Sequence, residues 1–322
     1  MQTPRHPRGF TLVEMLVVIV IIGILAAILV PVTGQAIRSA KRTAIVTEMS
    51  DLSRAIEAYK LDRKGYFPDF TNWQAVIVHL QRSFPRNTFD LNSWVNPSQA
   101  PATRHPRDLD AAEALVFWLS LTKNNPRNPI TGQGENKVYY DFKAEQLTDL
   151  DGDGWPEYVS KHATGAPYVY FDGRSLPVTG GTAPNIGPAY AYAWAVYPSP
   201  YGSNAGPAPF SLTRDLTTLP GPGTNPSVGV VRPYRSSIMA GDSKAWPLDS
   251  TSNTRQWFEP GKFQIIHPGL DNHFGYESMD NNVLRYKSFP ALNYYVDGTT
   301  LTEDFDNLTS FSDGRTIGDS VP

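Results

Sequence analysis

Residues 9–31, GFTLVEMLVVIVIIGILAAILVP, form an apolar run interrupted early by a single carboxylate, Glu14. About 20 helical residues at ~1.5 Å each cover a bilayer's hydrocarbon core, so this run is long enough to span a membrane. An unpaired carboxylate there costs on the order of 2.5–3.5 kcal/mol even on lenient insertion scales. A chain that keeps one at that depth is expected to have a partner for it. The leader MQTPRHPRG is short and basic, and its small residue, Gly9, precedes the apolar stretch. A secretory signal has the reverse layout. Cutting after Gly9 leaves the helix on the mature chain, beginning at Phe10. The run therefore reads as a retained anchor. Charge alone does not orient it, because Arg5 and Arg8 flank one end while Arg38, Lys41 and Arg42 follow the other.

Beyond the anchor the chain of 322 residues is long enough for one sizeable domain or two small ones. Its formal charge is −3, and without Arg5 and Arg8 the 26 remaining Lys and Arg face 31 acids, a balance of −5. No concentrated basic patch stands outside the helix, which argues against nucleic acid as a partner. The chain has no cysteine. An exported domain is free to use disulfides, so this one must be stapled differently. With 28 Pro and 25 Gly the soluble part should be loop-rich, and 16 Tyr and seven Trp read first as core and strand aromatics.

Ile45, Met49, Leu52, Ile56 and Tyr59 recur at helical spacing on one stripe, with Arg42, Glu48, Asp51, Arg54 and Glu57 on the other faces. The membrane helix should therefore continue, kinked near Pro31 and Gly34, as an amphipathic half ending near Gly65. Its stripe needs a sheet to cover. The pattern predicts helices over 72–84 and 108–122, the second capped by Asp108 or Asp110. Short strands are expected at 138–142, 156–160, 167–172, 262–268, 283–289 and 292–298, with a Gly-, Pro- and Tyr-rich excursion over 174–232 between them. This organises the chain as a leader (1–9), a membrane helix (10–32), an amphipathic continuation (33–64) and a globular domain (65–322).

Residues 149–157, DLDGDGWPE, carry carboxylates at alternate positions, and Gly154 permits the sharp turn that makes them converge. Asp149, Asp151 and Asp153, the Trp155 carbonyl and Glu157 form a donor set suited to Ca²⁺. Ser160 stands where a full EF-hand loop has its bidentate Glu, so the expectation is an isolated structural calcium loop, with an acidic turn lacking an ion as the alternative. No thiol is available for catalysis, no nucleophile elbow or phosphate loop is present, and His267 and His273 match no zinc spacing. No catalytic residue is assigned.

Gly9, Phe10, Thr11, Leu12, Val13 and Glu14 resemble the cleavage signature of type IV pilins and type II secretion pseudopilins. The resemblance implies that a prepilin peptidase cuts after Gly9 and methylates the amine of Phe10. It implies that Glu14 neutralises that amine on a neighbouring subunit when subunits leave the bilayer for a filament, and Pro31 falls where many such helices carry a proline. The segment 55–69, AIEAYKLDRKGYFPD, is similar to the helix end of the major pseudopilins. Major pseudopilins tend to use calcium where many pilins use a disulfide, so the missing cysteines lean toward them. Phe263 to Gly275, followed by Glu303 to Leu308, resembles their C-terminal calcium loop, with Asp271, Asp304 and Asp306 as implied ligands and carbonyls near His267. Asn272 replaces the usual turn glycine there, and the two halves are unusually far apart.

Together these imply an α+β, pilin-like fold: a long N-terminal helix packed on an antiparallel sheet, with a large loop-rich insertion. The implied protein is not an enzyme. It is a pseudopilin with a single inner-membrane pass and a periplasmic or extracellular domain. Its partners would be copies of itself, other pseudopilins, the peptidase, the inner-membrane assembly platform and, before assembly, the membrane. The alternative is a type IV pilin or pilus-associated adhesin; a membrane-anchored hydrolase has no catalytic constellation behind it.

Overall fold

The computed structural model describes residues 11–70, 73–88, 90, 109–150, 154–163, 167–173, 192–195, 228–231, 233–236, 258–259, 261–271, 274, 279–280, 283–284, 288–289 and 306–320. One helix dominates it. α1 (Leu12–Arg63) is 52 residues, about 78 Å at 1.5 Å per residue, and neither Pro31 nor Gly34 ends it. Lys64 closes it in the left-handed conformation (φ 62°), its N–H and that of Gly65 both donating to the Lys60 carbonyl. Lys60 and Arg63 in the last turn complement the helix dipole.

The two halves of α1 differ in what they touch. The described side chains of its apolar half are exposed, and its most apolar 18-residue window has a mean hydropathy of 3.2 with no buried residue among those described. From Ile45 onward the expected stripe is buried, with Ile45, Leu52, Ile56 and Tyr59 wholly inside. It packs on a three-stranded antiparallel sheet of β3 (Val169–Asp172), β7 (Phe263–His267) and β11 (Leu308–Thr309), with β7 in the middle. Strand alternation sends Tyr168, Tyr170, Phe263, Ile265 and Leu308 to the helix side. Val169, Phe171 and Ile266 point the other way, into a smaller core with Ala111, Ala112, Val231, Tyr234, Phe274 and Ile317. The sheet is thus covered on both faces.

The chain between helix and sheet fills the ends of the main core. α2 (Trp73–Ser83) falls within the helix expected over 72–84. The predicted helix over 108–122 is shorter, and its second part is wider than an α-helix. Asp110 caps it, accepting from the N–H groups of Ala112 (2.7 Å) and Glu113 (3.2 Å), α3 (Ala114–Val116) follows, and Phe117–Leu121 is a π turn. That extra residue per turn carries Trp118 into an aromatic cluster. Its ring stacks on Phe67 and Phe70 and meets Tyr59, His79 and Phe117 edge-on, and its Nε1 donates to the Pro68 carbonyl (3.0 Å).

The strand expected at 138–142 does not form. Tyr139 and Tyr140 donate instead to the Leu119 carbonyl, and the Tyr139 hydroxyl engages Asp62 and Arg63, fastening this segment to the end of α1. β1 (Leu147–Thr148) and β2 (Glu157–Tyr158) make an antiparallel pair in place of the longer strand predicted over 156–160. β4 (Tyr192–Ala195) pairs with β5 (Val228–Val231), and β6 (Arg235–Ser236) runs parallel to β10 (Ser288–Phe289). β8 (Met279–Asp280) and β9 (Val283–Leu284) form a short hairpin. The predicted strand over 292–298 and most of the 174–232 excursion lie outside the described residues.

Two polar side chains do structural work that periodicity does not reveal. Glu48, assigned by its spacing to the outer face of α1, turns toward the domain. It accepts from the Tyr168 hydroxyl (2.7 Å) and Gln146 Nε2 (3.3 Å). Gln264 points into the smaller core and acts as a surrogate strand, exchanging hydrogen bonds with the Tyr234 backbone (2.7 and 2.9 Å).

His267 is wholly buried against the Tyr168 ring, its Nδ1 accepting from the Gly269 N–H (3.1 Å). Burial pulls its pKa down from 6.5 to about 3. The native state therefore binds fewer protons than the unfolded chain, and stability must fall as pH drops from 6.5 through 3. The full penalty is on the order of 4–5 kcal/mol. Urea midpoints measured across that window should slope less in His267→Phe than in the wild type; equal slopes would show that His267 does not carry the acid limb.

Candidate functional site

The N-terminus of α1 is built around Glu14. Thr11 is the N-cap, in extended conformation (ψ 150°), and its Oγ1 accepts from the Glu14 N–H (3.2 Å). Glu14 Oε2 in turn accepts from the Thr11 N–H and the Thr11 hydroxyl, both at 2.8 Å. This reciprocal capping box satisfies helix-end donors that have no partner within the helix. Sequence reasoning named Glu14 but missed Thr11 as its intramolecular partner, although a threonine three residues before a glutamate is a readable signal. Gly9 and Phe10 lie outside the described residues, and Pro31 lies within α1.

A second cluster forms where β7 and β11 meet. The Leu308↔His267 pairing brings Asp306 beside the turn at 269–271, 35 residues away from Asp271. Asp306 Oδ2 accepts from the N–H groups of Leu270 (2.9 Å) and Asp271 (3.4 Å), and the two carboxyl groups face each other. Gly269 (φ 78°) is required here, since a Cβ would come within 2.4 Å of the Asp306 carbonyl and carboxylate oxygens. Burial pushes the Asp306 pKa up, against the pull of the Leu270 and Asp271 hydrogen bonds and the Arg42 charge. Its Oδ1 is buried with no hydrogen-bond partner. A buried oxygen left over, a second carboxylate alongside and carbonyls nearby fit a hard divalent cation. Asp304, the third implied ligand, lies outside the described residues.

The 149–157 loop joins β1 to β2, and the Thr148↔Glu157 register brings its ends together. Gly154 (φ 94°) donates to Asp149 Oδ2 (3.1 Å), and Leu150 donates to Oε2 of the fully buried Glu157 (2.9 Å). The Trp155 ring packs edge-on against Phe117. Asp149, Trp155 and Glu157 are thus placed around one turn, while Asp151 and Asp153 lie outside the described residues. Among the described residues no group of three or more His, Asp or Glu converges as a metal site.

Residues 4–30 match the family model for the prokaryotic N-terminal methylation motif. The type II secretion system core protein G of Pseudomonas aeruginosa is 34% identical over 116 residues, which are 33% of this chain and 82% of that protein. The chain belongs to the type II secretion core protein G family. The Vibrio cholerae core protein G is 36% identical over 87 residues, 27% of this chain and 60% of the relative. The type IV wide pilus major component PilA4 of Thermus thermophilus is 38% identical over 91 residues, 28% of this chain and 66% of the relative. No solved structure matches the chain. These alignments each take a third or less of the chain, so the enlarged domain must be read from its own residues.

Proposed function

We propose that this chain is a structural subunit of a type II secretion pseudopilus, working by assembly and not by turnover. The observation that carries the reading is the division of α1. Half of it is apolar, exposed and headed by Glu14, and the other half is locked into a rigid domain by a buried stripe. An exposed apolar half-helix needs lipid or other helices around it. Before assembly it is a single inner-membrane pass with the domain on the periplasmic side. A prepilin peptidase cuts after Gly9 and methylates Phe10, and an inner-membrane platform then draws the subunit from the bilayer to pack against copies of itself and other pseudopilins. Glu14 exchanges its own Thr11 N–H for the amine of a neighbour's Phe10. Membrane residence and filament residence thus each satisfy the carboxylate.

Calcium is the staple proposed for the disulfide-free domain. At Asp271 and Asp306, with Asp304 as the third ligand that the resemblance implies, it would tie the 269–271 turn to β11. Around Asp149, Asp151, Asp153, the Trp155 carbonyl and Glu157 it would close the β1–β2 loop. The ion supplies charge to carboxylates that otherwise repel and bridges segments far apart in sequence. Adding calcium at 100 times its dissociation constant to the EDTA-treated chain should raise stability by about 2.7 kcal/mol per site. Asp306→Asn should remove one increment and Asp149→Asn the other. Melting curves that ignore both EDTA and calcium would sink the idea.

The decisive test of the main reading compares the extracellular proteome of an in-frame deletion strain with its parent. Selective loss of exported enzymes, restored by the wild-type gene, is expected. An unchanged secretome with loss of surface fibres would instead favour the pilus reading, which the PilA4 similarity keeps specific.

A further inference from the structure

Gly34, Ile37, Arg38, Lys41 and Arg42 of α1 form one wall of a cleft of about 500 Å³, faced by His162, Leu270, Asp271 and Asp306. We infer that this cleft binds the phosphate of an anionic phospholipid headgroup through Arg38, Lys41 and Arg42. The inference rests on the reading of α1 as a membrane anchor.

Arg38, Lys41 and Arg42 stand at i, i+3 and i+4, so they share one helix face. All three are exposed, and none forms an ion pair with a described residue. Their height is what matters. The apolar run ends at Val32, so Arg38 begins about 9 Å and Arg42 about 15 Å above the hydrocarbon edge. The headgroup layer is roughly 5–8 Å deep on each side. Side chains on a helix tilt toward its N-terminus, which here is toward the bilayer. Long basic side chains snorkel along that direction and reach phosphate level.

Their side of the membrane is the second point. Three bases directly beyond the apolar helix, on the side away from the leader, run against the excess of Lys and Arg expected on the cytoplasmic side. A bound anion at that height gives them a role that topology does not. The opposite wall offsets this charge only in part: the Arg42 charge reaches Asp306 and Asp319, and the exposed Asp271 lines the cleft, while Asp306 is turned to the Leu270 and Asp271 N–H groups. A cation held by Asp271 and Asp306 would remove that offset and make the cleft more positive. Each base near an anionic surface contributes enough that removing three should weaken retention about 10- to 100-fold.

The test uses the full mature chain in detergent micelles doped with either phosphatidylglycerol or phosphatidylcholine, read by native mass spectrometry. Wild type should retain phosphatidylglycerol selectively, and R38Q/K41Q/R42Q should lose that preference without a change in its melting curve. Millimolar inorganic phosphate should not displace the lipid; displacement would mean a site for soluble anions and would overturn the inference. Equal retention by both proteins, or no preference between the lipids, would overturn it too. So would a variant with the wild-type lipid preference that fails only to assemble, since that places the bases at a contact between subunits. Co-flotation with vesicles separates the two readings. A chain that does not float refutes the anchor, whereas a floating chain without lipid preference refutes the headgroup site alone.

Discussion

Glu14→Ala is expected to be cleaved and to reside in the membrane normally, yet to yield almost no filaments and to reduce secretion more than tenfold. In the bilayer the substitution removes a carboxylate whose insertion costs on the order of 2.5–3.5 kcal/mol. It also removes the acceptor for the Thr11 N–H and hydroxyl, a cap whose loss typically costs about 1 kcal/mol. The membrane state is therefore not weakened on balance. In the filament the neighbour's amine loses its counter-ion in an apolar setting, and breaking one half of a buried pair typically costs about 3–5 kcal/mol. Repeated at every subunit, that is enough to stop growth. Glu14→Gln separates the two roles of the side chain, because it still accepts from Thr11 but carries no charge. Filament yield from Glu14→Gln should match that of Glu14→Ala. A normal yield would mean that the helix cap, and not the charge, is what assembly requires.

Trp118→Ala should cost the folded domain about 3–5 kcal/mol. The side chain is wholly buried, sits among Tyr59, Phe67, Phe70, His79 and Phe117, and bonds the Pro68 carbonyl. Its removal leaves a cavity where α1, α2 and the π turn meet, so the rings around it cannot all collapse inward. For a domain of this size the melting temperature should drop by roughly 6–20 °C. Trp118→Phe should retain most of the packing and lose mainly the indole hydrogen bond, about 1 kcal/mol. Near-equal melting temperatures for wild type and Trp118→Ala would show that the cluster is not the keystone of the domain. The effect on assembly should be indirect, through a domain that no longer holds the lower half of α1 at a fixed angle.

The long helix, its two characters and its burial stripe were legible from residue spacing, because helical periodicity is a property of neighbours within eight positions. Ile45 to Tyr59 needed no partner to be recognised as the face of a core. The Asp110 cap was readable for the same reason, but the π turn after it was not, since only the demand to place Trp118 among distant rings explains the extra residue. The strand expected at 138–142 failed because its tyrosines bond to Leu119, Asp62 and Arg63, partners that β propensity does not know about.

What the sequence determined by itself is everything carried by local pattern: an apolar span with one carboxylate and an amphipathic continuation. What only the tertiary structure decided is which distant groups meet. The β7–β11 register sets Asp306 against Asp271, and the packing of α1 on the sheet turns Glu48 inward to Tyr168. The same packing lays the bases that follow the membrane span along a cleft. The physical reason is range. Helix and turn preferences act over a few residues, whereas these contacts close loops of 35 to 120 residues and exist only once the whole core has formed.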